Sequence, residues 1–145
     1  MTIFPVSKIK RGWKLKGAIL PVLFPRGLPP WRPIDLRIRW QIARLPARSN
    51  RTRMYQPIPF PEFADVAPRR DRACEERWRA IRSVLPEDLS DLSFLDLGAG
   101  EGYFSLQCVK DGASAMALEW DYHKARLMNL LKQRYKLDRL DAKQT

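Results

Sequence analysis

The spacing of apolar residues changes character four times along this chain. From Ile34 to Ile42 the residues Ile34, Leu36, Ile38, Trp40 and Ile42 alternate with Asp35, Arg37, Arg39 and Gln41. That period of two predicts a strand. The flanks say otherwise: Pro33 can open a helix and Pro46 follow one, with Asp35 early and Arg44 late. Strand and helix both stand for residues 34–45. Between Met54 and Pro68, prolines at 57, 59 and 61 predict an extended linker, because each fixes φ and removes a backbone donor. From Asp71 to Leu85, Cys74, Trp78, Ile81 and Leu85 recur at helical spacing and Pro86 supplies a stop.

Beyond Leu92 the pattern becomes regular. Phe94-Leu95-Asp96-Leu97 reads as a short strand covered on both faces, and it runs into Gly98-Ala99-Gly100-Glu101-Gly102. A helix is predicted from Tyr103 to Lys110, closed by Asp111-Gly112. Ala115-Met116-Ala117-Leu118 reads as a second strand ending at Glu119. Asp121 is placed to cap a further helix running to about Leu137, with Leu127, Met128, Leu131 and Tyr135 on its buried stripe. Strand, glycine turn, helix, strand, acid, helix is the order of a right-handed βαβ unit.

Charge divides the chain where this pattern does. Of 27 basic and 16 acidic side chains, residues 1–60 hold 13 Lys/Arg and one acid, and residues 61–145 hold 14 and 15. Eleven of the twelve prolines lie at or before Pro68. The expected organisation is a basic, Pro-rich, mostly irregular arm and linker (1–68), an amphipathic helix with its connector (69–90), and an α/β segment (91–145). The longest stretch without a charge, Gly17 to Pro25, is nine residues, too short to cross a bilayer. Two cysteines and one histidine make neither a disulfide framework nor a zinc site, so no metal is expected. A cytoplasmic location follows, at most peripheral to a membrane. Lys/Arg interleaved with tryptophan in residues 1–53 suit a polyanion, RNA or an anionic membrane surface.

The glycine turn carries the chemistry. Reversing a strand into a helix over a few residues needs positive φ, and a backbone without side chains lets a ligand approach. The first amides of the helix then face an anionic group. Glu119, 21 residues after Gly98, is expected at the tip of the neighbouring strand, where a carboxylate can grip two ribose hydroxyls. The dinucleotide fingerprint wants G-x-G-x-x-G, whereas Asp96 to Gly102 reads D-x-G-x-G-x-G. In this form the segment resembles the first motif of class I S-adenosylmethionine-dependent methyltransferases, and Ser93 through Tyr135 is similar to the opening of their domain. The resemblance implies that Gly98, Gly100 and Gly102 let the backbone reach the methionine moiety, with Asp96 near its ammonium. It implies Glu119 on the ribose and Trp120 against the adenine. Glu101, in the first turn, joins this cofactor-binding set, although an acid there stabilises a helix without any ligand.

Only two strands are legible, so the expected fold class is α/β: the start of a Rossmann-like parallel sheet (β-α-β-α), incomplete. The second strand should then present an open apolar edge, inviting self-association. The resemblance implies a methyltransferase whose cofactor-binding portion is here and whose methyl acceptor and catalytic residues are not identified. The expected chain is a shortened one. The rival is a non-catalytic relative whose basic arm docks on RNA or membrane.

Overall fold

The structure is a computed structural model of the chain and describes residues 32–45, 54–66 and 71–145. Residues 1–31, 46–53 and 67–70, and with them much of the basic arm, lie outside the described residues. The described residues from Pro33 to Thr145 form one compact unit.

Its centre is a three-stranded parallel sheet in the order β1 (Ser93–Leu97), β2 (Ser114–Glu119), β3 (Leu140–Gln144). Both crossovers step the same way across the sheet. Right-handed connections therefore put α3 (Tyr103–Lys110) and α4 (Tyr122–Tyr135) on one face. Ala115, Ala117, Leu140 and Ala142 are buried beneath these helices, together with Leu106, Leu127, Met128 and Leu131. The alanines of β2 hold the helices close to the sheet, which suits a densely packed core.

The opposite face is bare among the described residues. Register places Leu95 beside Met116 and Leu97 beside Leu118 on that side, and Met116 beside Asp141. Leu95 is 61% exposed, Leu97 70% and Met116 39%. The expectation of a strand covered on both faces is met on one face only. β3 is a strand that apolar periodicity did not reveal. It removes the edge expected at β2, so among the described residues the sheet's open edges are β1 and β3.

Two further helices flank the layer. α1 (Pro33–Ala43) resolves the ambiguity of residues 34–45 in favour of the flanking signals. Asp35, Ile38, Gln41 and Ile42 are buried at helical spacing, while Leu36 and Trp40 face out. Two of its inward positions are thus polar. Arg134 of α4 donates to Asp35 Oδ1 at 2.6 Å, and Gln41 Nε2 donates to the His123 carbonyl at 3.0 Å. α2 (Asp71–Arg82) packs on α3 through Cys74 and Trp78. α4 starts as expected, with Asp121 accepting from the His123 and Lys124 amides at 2.8 and 3.3 Å. It ends where expected, capped by Lys136 in a left-handed conformation at φ 53°. None of the helices among the described residues is long and apolar enough to cross a membrane.

Candidate functional site

The turn between β1 and α3 takes the shape its glycines allow. Gly98, Gly100 and Gly102 have φ of 71°, 62° and 86°, all in the region that side chains rarely adopt. The amides of Gly98 and Ala99 both donate to the Leu118 carbonyl, at 2.9 and 3.1 Å, which fastens the turn to the end of β2. Gly102 opens α3 and sits against Met128: a Cβ there would lie 2.5 Å from the sulfur. Gly98 is different, because a Cβ built on it meets nothing within 4 Å. The backbone at Gly98 faces open space.

Glu119 stands at the end of β2, 2% exposed. Its Oε2 accepts from the Gly100 amide at 2.7 Å and its Oε1 from the Asp121 amide at 2.9 Å. Two short bonds from N–H groups hold the buried carboxylate at the mouth of the turn. Each oxygen keeps a further lone pair. Asp96 is half-buried on β1 and accepts from the Ser105 hydroxyl of α3 at 2.7 Å. The geometry therefore brings Asp96, Gly98, Gly100, Gly102 and Glu119 around the carboxyl ends of β1 and β2. Trp120 follows Glu119 and is 66% exposed.

Two expectations change. Glu101 is tied to another part of the chain: it is 1% exposed, and its oxygens accept from the Tyr55 and Gln56 amides at 3.2 Å each. The Lys124 ammonium lies 3.9 Å from its Oε1. Moreover, the first amide of α3 is taken up within the chain. The Gln56 side chain reaches it, and Oε1 accepts from the Tyr103 amide at 3.1 Å. The same carboxamide lies 3.2–3.3 Å from where a Cβ on Gly100 would be.

Gln56 belongs to a strap, residues 54–58, that motif reading alone does not place at the site. Met54, Gln56 and Ile58 are buried, while Tyr55, Pro57 and Pro59 are half-buried between them. The signal was present as an alternation of inward even positions and outward odd ones in a proline-stiffened extended segment. Prolines at outward positions forgo no ladder hydrogen bond. Beyond the strap, Phe60 stacks on Tyr135 with centroids 3.6 Å apart, and Lys110 donates to the Pro59 carbonyl at 3.0 Å.

Cys108 lies on the inner side of α3, 4% exposed, and burial pushes its thiol up to about 11. That holds it as the inert thiol, in line with a core role. His123 is half-buried, with Gln41 Nε2 3.1 Å from its Nδ1.

No family model matches the chain, and no curated protein matches it. Solved structures do. The 2.2 Å crystal structure of WbdD superposes with a TM-score of 0.57 at 21% identity, covering 74% of this chain and 24% of that one. A structure of WbdD described as a bifunctional kinase-methyltransferase gives 0.55 at 22%, over 72% and 22%. Monomeric WbdD gives 0.57 at 23%, over 73% and 25%. At such identity the likeness shows a shared fold. The chain spans about a quarter of the length of these proteins.

Proposed function

We propose that residues 91–145 are the cofactor-binding portion of an S-adenosylmethionine-dependent methyltransferase, held together by the strap and the flanking helices. The carrying observation is the pairing of three positive-φ glycines with a buried Glu119 hydrogen-bonded to the middle one. The fold shared with WbdD, one structure of which is described as a kinase-methyltransferase, supports the same reading.

The residues fit the group. Open space over Gly98 leaves room for a ligand against bare backbone. The free lone pairs of Glu119 can accept from the two ribose hydroxyls, since the amides that hold the carboxylate fix its orientation beforehand. Asp96 offers a carboxylate to the ammonium of the amino-acid end, with Ser105 fixing its rotamer. Trp120 is exposed at the tip of β2, where an adenine could lie against its ring. When bound, S-adenosylmethionine supplies an electrophilic methyl group on a sulfonium. The chain's part in that reaction is to hold the donor in one orientation, which matters because methyl transfer is an in-line displacement. The acceptor and the groups that align it are assigned to no residue here.

Calorimetry with S-adenosylhomocysteine tests this reading. Binding is expected in preference to NAD, and Glu119→Ala should weaken it by about 1–3 kcal/mol, the scale of polar partners left unsatisfied. Equal affinity of wild type and variant would remove Glu119 from the site.

The basic residues of 1–53 are proposed to bind a polyanion, an RNA or an anionic lipid surface. Their excess of positive charge makes that binding salt-sensitive, and deletion of 1–31, which keeps α1 in the chain, should weaken it strongly. Gel shifts with RNA and co-sedimentation with acidic vesicles distinguish the two. A response to neither would leave the arm without this role.

A further inference from the structure

Glu101 and Gln56 hold each other's chain segments in a closed exchange. The Glu101 carboxylate, on the glycine turn, accepts from the amides of Tyr55 and Gln56 on the strap. The Gln56 carboxamide, on the strap, accepts from the Tyr103 amide immediately beyond the turn. Because an N–H can donate only to the oxygen, that bond also fixes which end of the carboxamide faces α3. Both side chains are more than nine-tenths buried. Lys124 of α4, itself buried, places its ammonium beside Glu101 and offsets part of the cost of burying that charge.

The segment so clasped is the one with most to lose from freedom. Three glycines within five residues give the turn a large conformational entropy when nothing restrains it. A ligand that needs the turn in one shape must bear that ordering cost, unless the shape is already imposed. The contacts Glu101 makes run to the strap amides and to Lys124, so its hold on the turn passes through the strap. We infer that Glu101 is a positioning residue: it fastens the strap, and the strap, through Gln56, pre-shapes the glycine turn for its ligand. This rests on the reading of the turn as an S-adenosylmethionine site, and it replaces the direct cofactor contact that the sequence suggests for Glu101.

The test uses the 145-residue chain, S-adenosylhomocysteine as probe, and two variants. Glu101→Gln keeps the size of the side chain but turns an amide toward a strap N–H. Gln56→Leu keeps the bulk and removes the acceptor for Tyr103. Each should weaken binding about tenfold, and the double variant should lose little more than either alone, because both break one clasp. Amide exchange read by NMR supplies a measure that a merely structural role would not move. In the wild type the ligand should slow exchange at Tyr55, Gln56 and Tyr103, and in Glu101→Gln that ligand-linked slowing should vanish. Should Glu101→Gln not fold, Gln56→Leu carries the same exchange measurement. Losses that add in full would mean the two residues act separately, and would overturn the inference. So would a Glu101→Gln that binds like the wild type. A wild type that binds no S-adenosylhomocysteine overturns the cofactor reading, and this inference with it. Wild-type binding with an indifferent Glu101 overturns the inference alone.

Discussion

Gly102 is the residue at which local backbone and tertiary packing meet most tightly. Its φ of 86° disfavours any side chain, and the space a methyl would need is occupied by Met128 Sδ and Cγ at 2.5 and 2.7 Å. Gly102→Ala combines left-handed strain with overpacking, so a loss of about 2–4 kcal/mol is expected in urea unfolding. Met128→Ala in the same chain should return part of it. Gly98→Ala meets no neighbour and should cost only the backbone term, about 1–2 kcal/mol. Equal losses at the two positions would show that packing against Met128 plays no part. At this scale the sequence was informative: spacing alone placed Gly98, Gly100, Gly102 and Glu119 around one turn. It was silent on the direction of Glu101, because an acid in a helix's first turn is satisfied equally by solvent, by a ligand or by a neighbouring strap. Only the fold brings Tyr55 and Gln56 to it, across more than forty positions of sequence.

Among the elements, those with a strong apolar period were legible and those tied down by polar contacts were not. β1, α3, β2 and the start of α4 follow their sequence signals closely. β3 escaped because Leu-Asp-Ala-Lys-Gln has only Leu140 and Ala142 facing the core, too few to register as a strand. Its bare side carries Asp141 and Lys143, paired at 3.0 Å. α1 stayed ambiguous because its alternation of apolar residues mimics a strand, while what docks it is partly ionic. Asp35, 4% exposed, meets Arg134 of α4, which also lies 3.6 Å from Glu62. Beside it the Tyr135 hydroxyl donates to Glu62, and burial together with that carboxylate raises the phenol above its ordinary value. Asp35→Ala takes from Arg134 its nearest carboxylate and leaves only the longer contact to the more exposed Glu62, so it should destabilise the fold by about 2–3 kcal/mol. The double variant Asp35→Leu with Arg134→Met should lose much less. Chemical denaturation of the three chains checks this, and a double variant as unstable as Asp35→Ala would assign the loss to packing rather than to the stranded charge.

For the molecule as a whole, the informative feature is the asymmetry of the sheet. One face is sealed by α3 and α4, and the other presents Leu95, Leu97 and Met116 beside an edge of β1 that no strand among the described residues pairs. Toward β3 the same face turns charged, so the apolar stripe lies along one side only. Exposed apolar surface next to an open strand edge favours association. The 145-residue chain is therefore expected to self-associate with rising concentration, and Leu95→Lys with Met116→Lys should shift it toward monomer in sedimentation velocity. A wild type that stays monomeric would show that this stripe tolerates water. The central claim is that the glycine turn and Glu119 form an S-adenosylmethionine site, and an NMR titration of the chain with S-adenosylhomocysteine tests it most directly. Saturable amide shifts should cluster at Gly98, Ala99, Gly100, Glu119 and Trp120, with smaller ones relayed to Tyr55 and Gln56. No shifts at all, or shifts confined to α1 and the bare face of the sheet, would contradict it.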